Sequence, residues 1–312
     1  VDPGAKERKA HLLVEAEAEL AEFIGLDEVK YQVARLKSSV AMAIRRQERG
    51  LAVAQRTNHL VFAGPHGTGK TTIARVVANI LAGLGVIAEP KLIETSRKDF
   101  VAEYEGQSAV KTARTIDRAL GGVLFIDEAY TLVQERNGQA DPFGTEALDT
   151  LLARMENDRD RLVVIIAGYR ADLDKFLDTN EGLRSRFTRS IDFPSYQPSE
   201  LVEIANLMAQ QRDSTFEQTA LSDMQRLFTH LAQTTSPDSN GIDRRNLDIA
   251  GNGRFVRNVV ERSEEEREFR LDHSEQAGTG EFTDEDLMTI TAQDVGNTVT
   301  PLLRGLGLTV PA

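Results

Sequence analysis

The chain has 312 residues, of which 40% are hydrophobic and 28% are charged, a composition typical of a globular protein long enough for two domains. Its formal net charge of −12 argues against a protein that coats nucleic acid, and the absence of cysteine excludes disulfides and thiolate metal sites. No signal peptide is visible, and no apolar run approaches the roughly 18 residues of a membrane-spanning helix, so we expect no membrane insertion. We also expect a cytoplasmic location.

The N-terminal region predicts two helical segments. Residues 1–22 are charged and alanine-rich, which predicts a helix or a solvated linker. Because the sequence begins with Val1 rather than Met, we expect this segment to lead from an upstream domain that is missing from the chain. Ile24 and Gly25 break the pattern. Across residues 29–44 apolar side chains then recur at steps of three and four, which predicts an amphipathic helix.

A glycine loop between a strand and a helix is the strongest motif in the chain. Residues 60–63 are apolar, and residues 64–71 match the pattern G-x-x-x-x-G-K-[ST]. Glycines let backbone N–H groups point at phosphates, and the helix that follows adds the positive end of its dipole. Lys70 supplies a charge for the outer phosphates, and the Thr71 hydroxyl can ligate Mg²⁺. The predicted nucleotide-binding residues of the glycine loop are Gly64, Pro65, His66, Gly67, Thr68, Gly69, Lys70, Thr71 and Thr72.

Two carboxylates follow a second buried apolar stretch. Residues 123–126 are all apolar, as expected of a strand buried on both faces of a parallel sheet, and they run directly into Asp127 and Glu128. Ligands bind at the carboxyl ends of such strands, where Asp127 can hold Mg²⁺ and Glu128 can orient an attacking water. The alternative, a strand that ends in a solvated acidic turn, is less favoured because the glycine loop is also present.

The remaining pattern predicts a parallel sheet domain and then a helical domain. Strands are predicted at residues 91–95, 162–167 and 190–193, and the alternation with helices indicates a doubly wound sheet. After residue 194 the pattern is helical, and the only strand candidate is residues 280–283. The predicted domains are therefore residues 23–194 and 195–312. Helix starts are predicted at Pro198, at the capping box of Ser222 and Gln225, and at that of Thr291 and Asp294.

This constellation resembles the AAA+ ATPases. The matching pieces are the glycine loop, residues 124–128, 162–167, 184–189 and 251–254. The resemblance implies an α/β fold, an AAA+ P-loop NTPase with a parallel αβα sheet domain followed by a small all-helical lid domain. Residues 104–112, 122–130, 166–169 and 183–186 look like the CbbX/CfqX subgroup, which includes red-type Rubisco activases and the EccA ATPases of mycobacterial type VII (ESX) secretion. Residues 58–94 look most like the C-terminal ATPase part of the EccA family.

The resemblance implies roles that spacing alone does not give. Lys70 and Thr71 would bind phosphates and Mg²⁺ with help from Asp127, and Glu128 would be the catalytic glutamate. Ile24 and Gly25 would lie beside the adenine. Arg186 would be the arginine finger inserted into a neighbour's site, with Arg184 and Arg189 as rivals, and Arg254 would be the sensor-2 arginine. Tyr104, Glu105 and Gly106 match a pore loop that grips polypeptide.

Two positions depart from the family pattern. His66 stands where the family usually has proline, so the stiffness of the glycine loop is in question. The polar sensor-1 side chain falls at Tyr169 or is absent, a departure that the closer subgroup shares.

The implied function is that of an ATP-hydrolysing, Mg²⁺-dependent protein remodeller that assembles into a ring of identical subunits, expected to be a hexamer. Its protein substrates would be secreted ESX proteins or their chaperones, or inhibited Rubisco if the activase relatives are the better guide. A nucleic-acid motor or clamp loader shares the same ATPase core, but the net charge of −12 and the acidic loop around Tyr104 argue against it. A low-turnover ATP-switch scaffold ranks last because no catalytic residue is missing.

Overall fold

Short apolar runs in the first part of the chain form buried strands. Leu60–Ala63, Val123–Ile126 and Val163–Gly168 are buried along their whole length, as expected of strands covered by helices on both faces of a sheet. The computed structural model describes residues 3–53, 57–104, 106–133, 135–136, 139–274 and 281–309.

The first of two compact units consists of Val1–Gly64 and Gly69–Phe193. Single turns of 3₁₀-helix lie at Arg97–Asp99 and Ala129–Val133. In chain order its helices and strands are α1 (Pro3–Glu22), α2 (Asp27–Glu48), β1 (Leu60–Ala63), α3 (Lys70–Leu84), β2 (Leu92–Thr95), α4 (Gln107–Ala119), β3 (Val123–Ile126), β4 (Glu135–Arg136), β5 (Gln139–Ala140), α5 (Pro142–Asn157), β6 (Val163–Gly168), α6 (Arg170–Asp178), α7 (Glu181–Arg186) and β7 (Arg189–Asp192).

Five of these strands form one parallel sheet in the order β2-β3-β6-β1-β7. Leu60 of β1 pairs with Ile165 of β6 on one side and with Arg189 of β7 on the other. Because all five strands run the same way, their carboxyl ends meet at one edge of the sheet, and β1 and β3 lead there into Gly64 and Asp127. The predicted parallel αβα sheet is confirmed.

An apolar core of the first unit lies between the sheet and the helices α4 to α7. Leu124 and Ile126 of β3 and Val164 and Ile166 of β6 point into it, where they pack with helical residues. Those helical residues include Ile116, Leu148, Leu151, Met155, Leu173, Phe176 and Leu183. The core therefore fixes β3, whose carboxyl end leads into Asp127 and Glu128.

Helix α1 packs against α3. Leu20 of α1 is buried, and a side chain added at Gly83 of α3 would crowd Leu13 and the Lys9 carbonyl of α1. The helix predicted over residues 1–22 is present, but it is not the solvated arm that its charged composition suggested, because its apolar stripe finds a partner in this unit. Among the described residues, no helix combines the length and the apolar character that crossing a bilayer would require.

The second unit consists of Pro65–Thr68 and Pro194–Ala312. It is largely helical, as the sequence predicted, but it also contains two short ladders. The parallel pair of Thr215–Phe216 with Thr289–Ile290 has two residues a strand, and the antiparallel pair of Thr235–Pro237 with Asp243–Arg245 has three. Its elements are α8 (Pro198–Gln210), β8 (Thr215–Phe216), α9 (Gln218–Gln233), β9 (Thr235–Pro237), β10 (Asp243–Arg245), α10 (Asn246–Ala250), α11 (Gly253–Asp272), α12 (Asp284–Met288), β11 (Thr289–Ile290) and α13 (Ala292–Gly305).

Three details of the second unit differ from the sequence prediction. The unit is not all-helical, since it contains these two ladders. The sequence did not reveal them because strands of two or three residues are too short to show a period. Residues 281–283 are not a strand, and residue 280 lies outside the described residues. Ser222 does not cap a helix, because α9 already starts at Gln218 and the Ser222 hydroxyl donates to the Gln218 carbonyl at 2.9 Å. Pro198 and Thr291 do mark helix starts.

Candidate functional site

Four consecutive carbonyl groups of the glycine loop, those of residues 64–67, accept hydrogen bonds. Across a trans peptide, the C=O of one residue and the N–H of the next point in opposite directions. The N–H groups of residues 66–68 are therefore turned away from the donors that hold the carbonyls, which is the arrangement that a phosphate cradle needs. The donors are Lys70 Nζ to Gly64 (2.8 Å), Thr68 Oγ1 to Pro65 (2.9 Å), Asn252 Nδ2 to His66 (3.3 Å) and the Gly253 N–H to Gly67 (3.0 Å).

Two glycines of the loop cannot be replaced without a collision. Gly67 has a φ of 71°, and a Cβ there would collide with the Gly251 carbonyl. A Cβ at Gly64 would collide with the Phe193 carbonyl. Gly64 and Gly67 are thus required by close backbone approach, and Gly67 also by its backbone conformation.

The helix that follows the loop adds a second anion-binding element. α3 has 15 residues, starts at Lys70 and has Gly69 as its N-cap, with no side-chain cap bond. The first N–H groups of a helix have no intrahelical acceptor and carry the positive end of the dipole. The Lys70 side chain is buried, Thr71 is half-buried and Thr72 is exposed. The N-terminus of α3 is thus suited to bind an anionic group.

Asp127 and Glu128 follow β3 at the carboxyl edge of the sheet. The Asp127 N–H donates to the Thr95 carbonyl of the neighbouring strand at 2.9 Å, and the Glu128 N–H donates to Asp127 Oδ1 at 3.1 Å. Glu128 has a φ of 48°, an uncommon conformation for a residue with a side chain. Tyr130 Oη donates to Glu128 Oε1 at 3.2 Å. Sequence reasoning missed Tyr130, although its place two residues after the acidic pair was visible.

The described residues contain no cluster of three or more His, Asp or Glu side chains that could hold a metal ion by themselves. Mg²⁺ usually takes one or two protein ligands together with substrate phosphates and waters. Thr71 and Asp127 supply a hydroxyl and a carboxylate, the oxygen donors that Mg²⁺ prefers.

The three candidate finger arginines differ in exposure. The Arg184 side chain is 57% exposed and pairs with Asp178. The Arg186 side chain is 21% exposed, and its Nη2 lies 3.1 Å from Glu156 Oε2. Arg189 Nη2 donates to Ser39 Oγ at 3.1 Å. Each of the three donates to an acceptor in its own chain, so a finger role would compete with that contact.

A buried histidine lies under this arginine segment. His59 Nδ1 accepts the Val164 N–H at 3.0 Å, and the His59 ring packs beside Phe187 with 5.8 Å between ring centroids. Burial, together with the charge of Arg186, lowers the pKa of His59 to about 4. His59 is therefore neutral at physiological pH and supports the strand β6 rather than carrying charge.

The other predicted site residues lie on separate elements. Ile24 and Gly25 are half-buried in the bend between α1 and α2, and Tyr169 is the N-cap of α6. Arg254 lies in the first turn of α11 and is exposed. Sequence reasoning missed Asn252, the N-cap of α11, which is fully buried and bonds the His66 carbonyl.

The predicted pore loop is exposed where it is described. The Tyr104 side chain is 67% exposed. Gly106 has a φ of 76°, and a Cβ there would meet no described atom within 4 Å. Glu105 lies outside the described residues. An exposed aromatic side chain in a loop is available for contact with another molecule.

Comparisons with known proteins found two family models and several curated relatives that match the chain. Residues 60–195 match the ATPase family associated with various cellular activities (AAA), and residues 197–302 match the AAA lid domain. All 312 residues align at 72% identity with the ESX-3 secretion system protein EccA3 of Mycolicibacterium smegmatis, covering 50% of that protein. The ESX-1 secretion system protein EccA1 of the same organism is 65% identical over 263 residues, which is 84% of this chain and 45% of that protein. The chain thus spans about half the length of the curated relatives it matches.

Solved structures with low sequence identity share the fold. The FIGL-1 AAA domain in complex with ADP is 19% identical, with a TM-score of 0.57, 93% of this chain covered and 85% of that chain. The Thermotoga maritima RuvB Holliday junction branch migration motor is 20% identical, with a TM-score of 0.54, 91% of this chain covered and 71% of that chain. These similarities support the AAA fold.

Proposed function

Because the chain belongs to the AAA ATPase family, with an AAA domain and an AAA lid domain, we propose that it is the ATPase part of a ring-forming protein remodeller that acts in type VII (ESX) secretion. Membership of the family implies nucleotide binding. One observation carries the hydrolytic role: β1 and β3 are parallel strands of one sheet, and β1 leads into the glycine loop while β3 leads into Asp127 and Glu128. The first residue of the glycine loop and a pair of carboxylates therefore lie at one edge of the sheet.

ATP is the substrate in this proposal. The N–H groups of the glycine loop and the Lys70 ammonium bind its phosphates, and the Arg254 side chain is assigned to the γ-phosphate. Mg²⁺, held by Thr71 and Asp127, would neutralise negative charge on the phosphate oxygens. The Glu128 carboxylate orients a water, accepts a proton from it as the water oxygen attacks the γ-phosphorus, and the bond from that phosphorus to the ADP oxygen breaks. Arg186 of a neighbouring subunit neutralises charge on the transferred group.

The remodelling role rests on the relatives and on the exposed loop. Two ESX secretion system proteins align over most or all of the chain, so we propose that the protein substrates are secreted ESX proteins or their chaperones. The exposed Tyr104 ring is a large surface that can contact an extended polypeptide of any sequence. We further propose a hexamer and a cytoplasmic location. Membership of the CbbX/CfqX subgroup and the domain bounds 23–194 and 195–312 stay predictions.

The site assignment is tested by separating binding from turnover. Lys70→Ala should abolish ADP and ATP binding, because it removes the charge at the outer phosphates. Glu128→Gln should bind ATP as the wild type does and fail to hydrolyse it, because an amide cannot accept the proton. Equilibrium titration with a fluorescent ADP and steady-state phosphate release measure the two effects. Near-normal turnover in Glu128→Gln would remove Glu128 from the mechanism.

A further inference from the structure

Asn252 occupies a backbone position that favours glycine. It is the first central residue of a turn closed by the Arg254 N–H and the Gly251 carbonyl at 2.9 Å. Its φ of 48° and ψ of −122° are those of a type II′ turn, in which this position is usually glycine because a Cβ is strained there. A residue with a side chain at this position indicates that the side chain has a task of its own.

The Asn252 side chain uses both its donor and its acceptor. It is fully buried, and its Nδ2 donates to the His66 carbonyl at 3.3 Å and to Asp248 Oδ1 at 3.2 Å. Its Oδ1 accepts the Tyr196 N–H at 3.2 Å. Asp248 is in turn held by the Ser195 hydroxyl, so the amide is locked in one orientation. Only a carboxamide offers donors and an acceptor in this geometry.

The bond to His66 fixes the direction of a glycine-loop amide. When the His66 carbonyl points at Asn252, the Gly67 N–H of the same peptide points the opposite way. The next peptide is fixed in the same way. The Gly67 carbonyl accepts the Gly253 N–H at 3.0 Å, so the Thr68 N–H of that peptide points away from Gly253. The turn of residues 251–254 thus orients two consecutive N–H groups of the phosphate cradle.

We propose that Asn252 is a positioning residue for nucleotide binding, which holds the peptide of His66 and Gly67 so that its N–H faces the phosphates. The inference rests on the proposed nucleotide site and deepens it. It adds to the phosphate-binding residues a buried side chain that does not touch the nucleotide and acts through the loop. Its loss therefore weakens affinity for nucleotide.

Two substitutions test the proposal in the 312-residue chain. Asn252→Asp keeps the shape but replaces the donor by a charged acceptor that faces the His66 carbonyl and Asp248. Asn252→Gly removes the side chain, and glycine adopts the backbone conformation of this position without strain. This variant is therefore expected to fold even if Asn252→Asp does not. Asn246→Asp is the matched control, because Asn246 is a buried asparagine of the same unit whose Nδ2 donates to Thr234 Oγ1 at 2.8 Å, away from the loop.

Both Asn252 variants should raise the Kd for a fluorescent ADP and the KM for ATP by about tenfold, the effect of losing one well-placed hydrogen bond. The control should stay within about threefold of the wild type, which is under 1 kcal/mol. The ADP-induced rise in melting temperature should shrink in the Asn252 variants alone, whereas a purely structural role would lower the melting temperature without ADP and leave the Kd unchanged.

Three outcomes would overturn the inference. Wild-type affinity in both Asn252 variants would do so, and so would an equal loss of affinity in the Asn246→Asp control, which would indicate general damage to the unit. Failure of the wild type to bind ADP would overturn the proposed nucleotide site and this inference with it. The first two outcomes leave the proposed function intact.

Discussion

At the scale of single residues, the Glu128 carboxylate is held by the tyrosine two positions after it. Tyr130 Oη donates to Glu128 Oε1 at 3.2 Å, and the Tyr130 ring lies against Gly168, where a Cβ would be 2.7 Å from the ring. The φ of 48° at Glu128 is a conformation that costs of the order of 1–3 kcal/mol and persists only where its surroundings enforce it. The backbone and the hydrogen bond together set the direction of the carboxylate.

Tyr130→Phe should therefore lower kcat by about tenfold while the Kd for ATP stays at the wild-type value, since a charge-assisted hydrogen bond contributes about 1.5–3 kcal/mol. The phenyl ring keeps its packing on Gly168, so the fold is retained. Steady-state turnover and equilibrium ATP binding measure the two quantities.

Tyr31→Phe is the control, because the Tyr31 ring is exposed on α2 beside Arg35 and is remote in sequence from the acidic pair. It should change neither quantity. Unchanged turnover in Tyr130→Phe, or weaker ATP binding with unchanged kcat, would argue against a positioning role for the hydroxyl.

At the scale of elements, the segment between the 3₁₀ turn Arg97–Asp99 and α4 carries one buried and one exposed aromatic. Phe100 is fully buried in the core of the first unit, whereas Tyr104 is 67% exposed. The 3₁₀ turn that precedes the segment is held by the chain after β3, since Arg97 Nη1 donates to the Leu132 carbonyl at 3.1 Å. Anchoring at one end and exposure at the other are what a gripping loop requires.

The two aromatics should respond differently to truncation. Tyr104→Ala should change the free energy of unfolding by less than about 0.5 kcal/mol, as expected of an exposed side chain. Phe100→Ala, the matched control, should lower it by about 3–5 kcal/mol because it leaves a cavity in the core. Denaturant titration of both variants measures the difference. A loss of several kcal/mol in Tyr104→Ala would mean that Tyr104 packs in the core and would end its assignment to a pore loop.

At the scale of the whole molecule, the proposed arginine finger would make activity depend on assembly. Arg186 is bonded to Glu156 Oε2 at 3.1 Å and to the Gly182 carbonyl at 3.1 Å, so in a ring it would exchange these acceptors for a neighbour's phosphate. Arg184 is the more exposed rival. Mutation of each arginine alone cannot identify the finger, because loss of activity can also come from loss of folding.

Mixing variants that are inactive alone identifies the finger arginine. Arg186→Ala and Glu128→Gln should each be inactive alone, and their mixture should recover part of the turnover, because some sites in a mixed ring combine an intact Glu128 with a neighbour's intact Arg186. Specific activity of the wild type should also rise with protein concentration. Phosphate release measures both effects.

The same mixing with Arg184→Ala and Arg189→Ala is the comparison. The arginine whose variant is inactive alone and rescued in the mixture is the finger. If mixed assembly is demonstrated and Arg186→Ala is not rescued, the assignment of Arg186 in trans is wrong.

The sequence by itself determined the features that depend on neighbours along the chain. Continuous apolar runs predicted the buried strands, and the glycine loop and the acidic pair were predicted to follow β1 and β3, as they do. The start of α8 at Pro198 and the capping box of Thr291 and Asp294 were also predicted. A buried strand, a proline at the first helical position and a capping box all leave their signature within a few residues, so a local pattern is sufficient.

The tertiary structure decided what depends on distant partners. α9 starts at Gln218 rather than at Ser222 because the Glu217 N–H bonds the Ile290 carbonyl, where β8 pairs with β11. The Asn252 bond to His66 joins residues 186 positions apart, so no local spacing could reveal it. A hydrogen bond between remote residues depends on how the chain closes on itself, and that closure is set by packing of the whole unit rather than by the residues on either side.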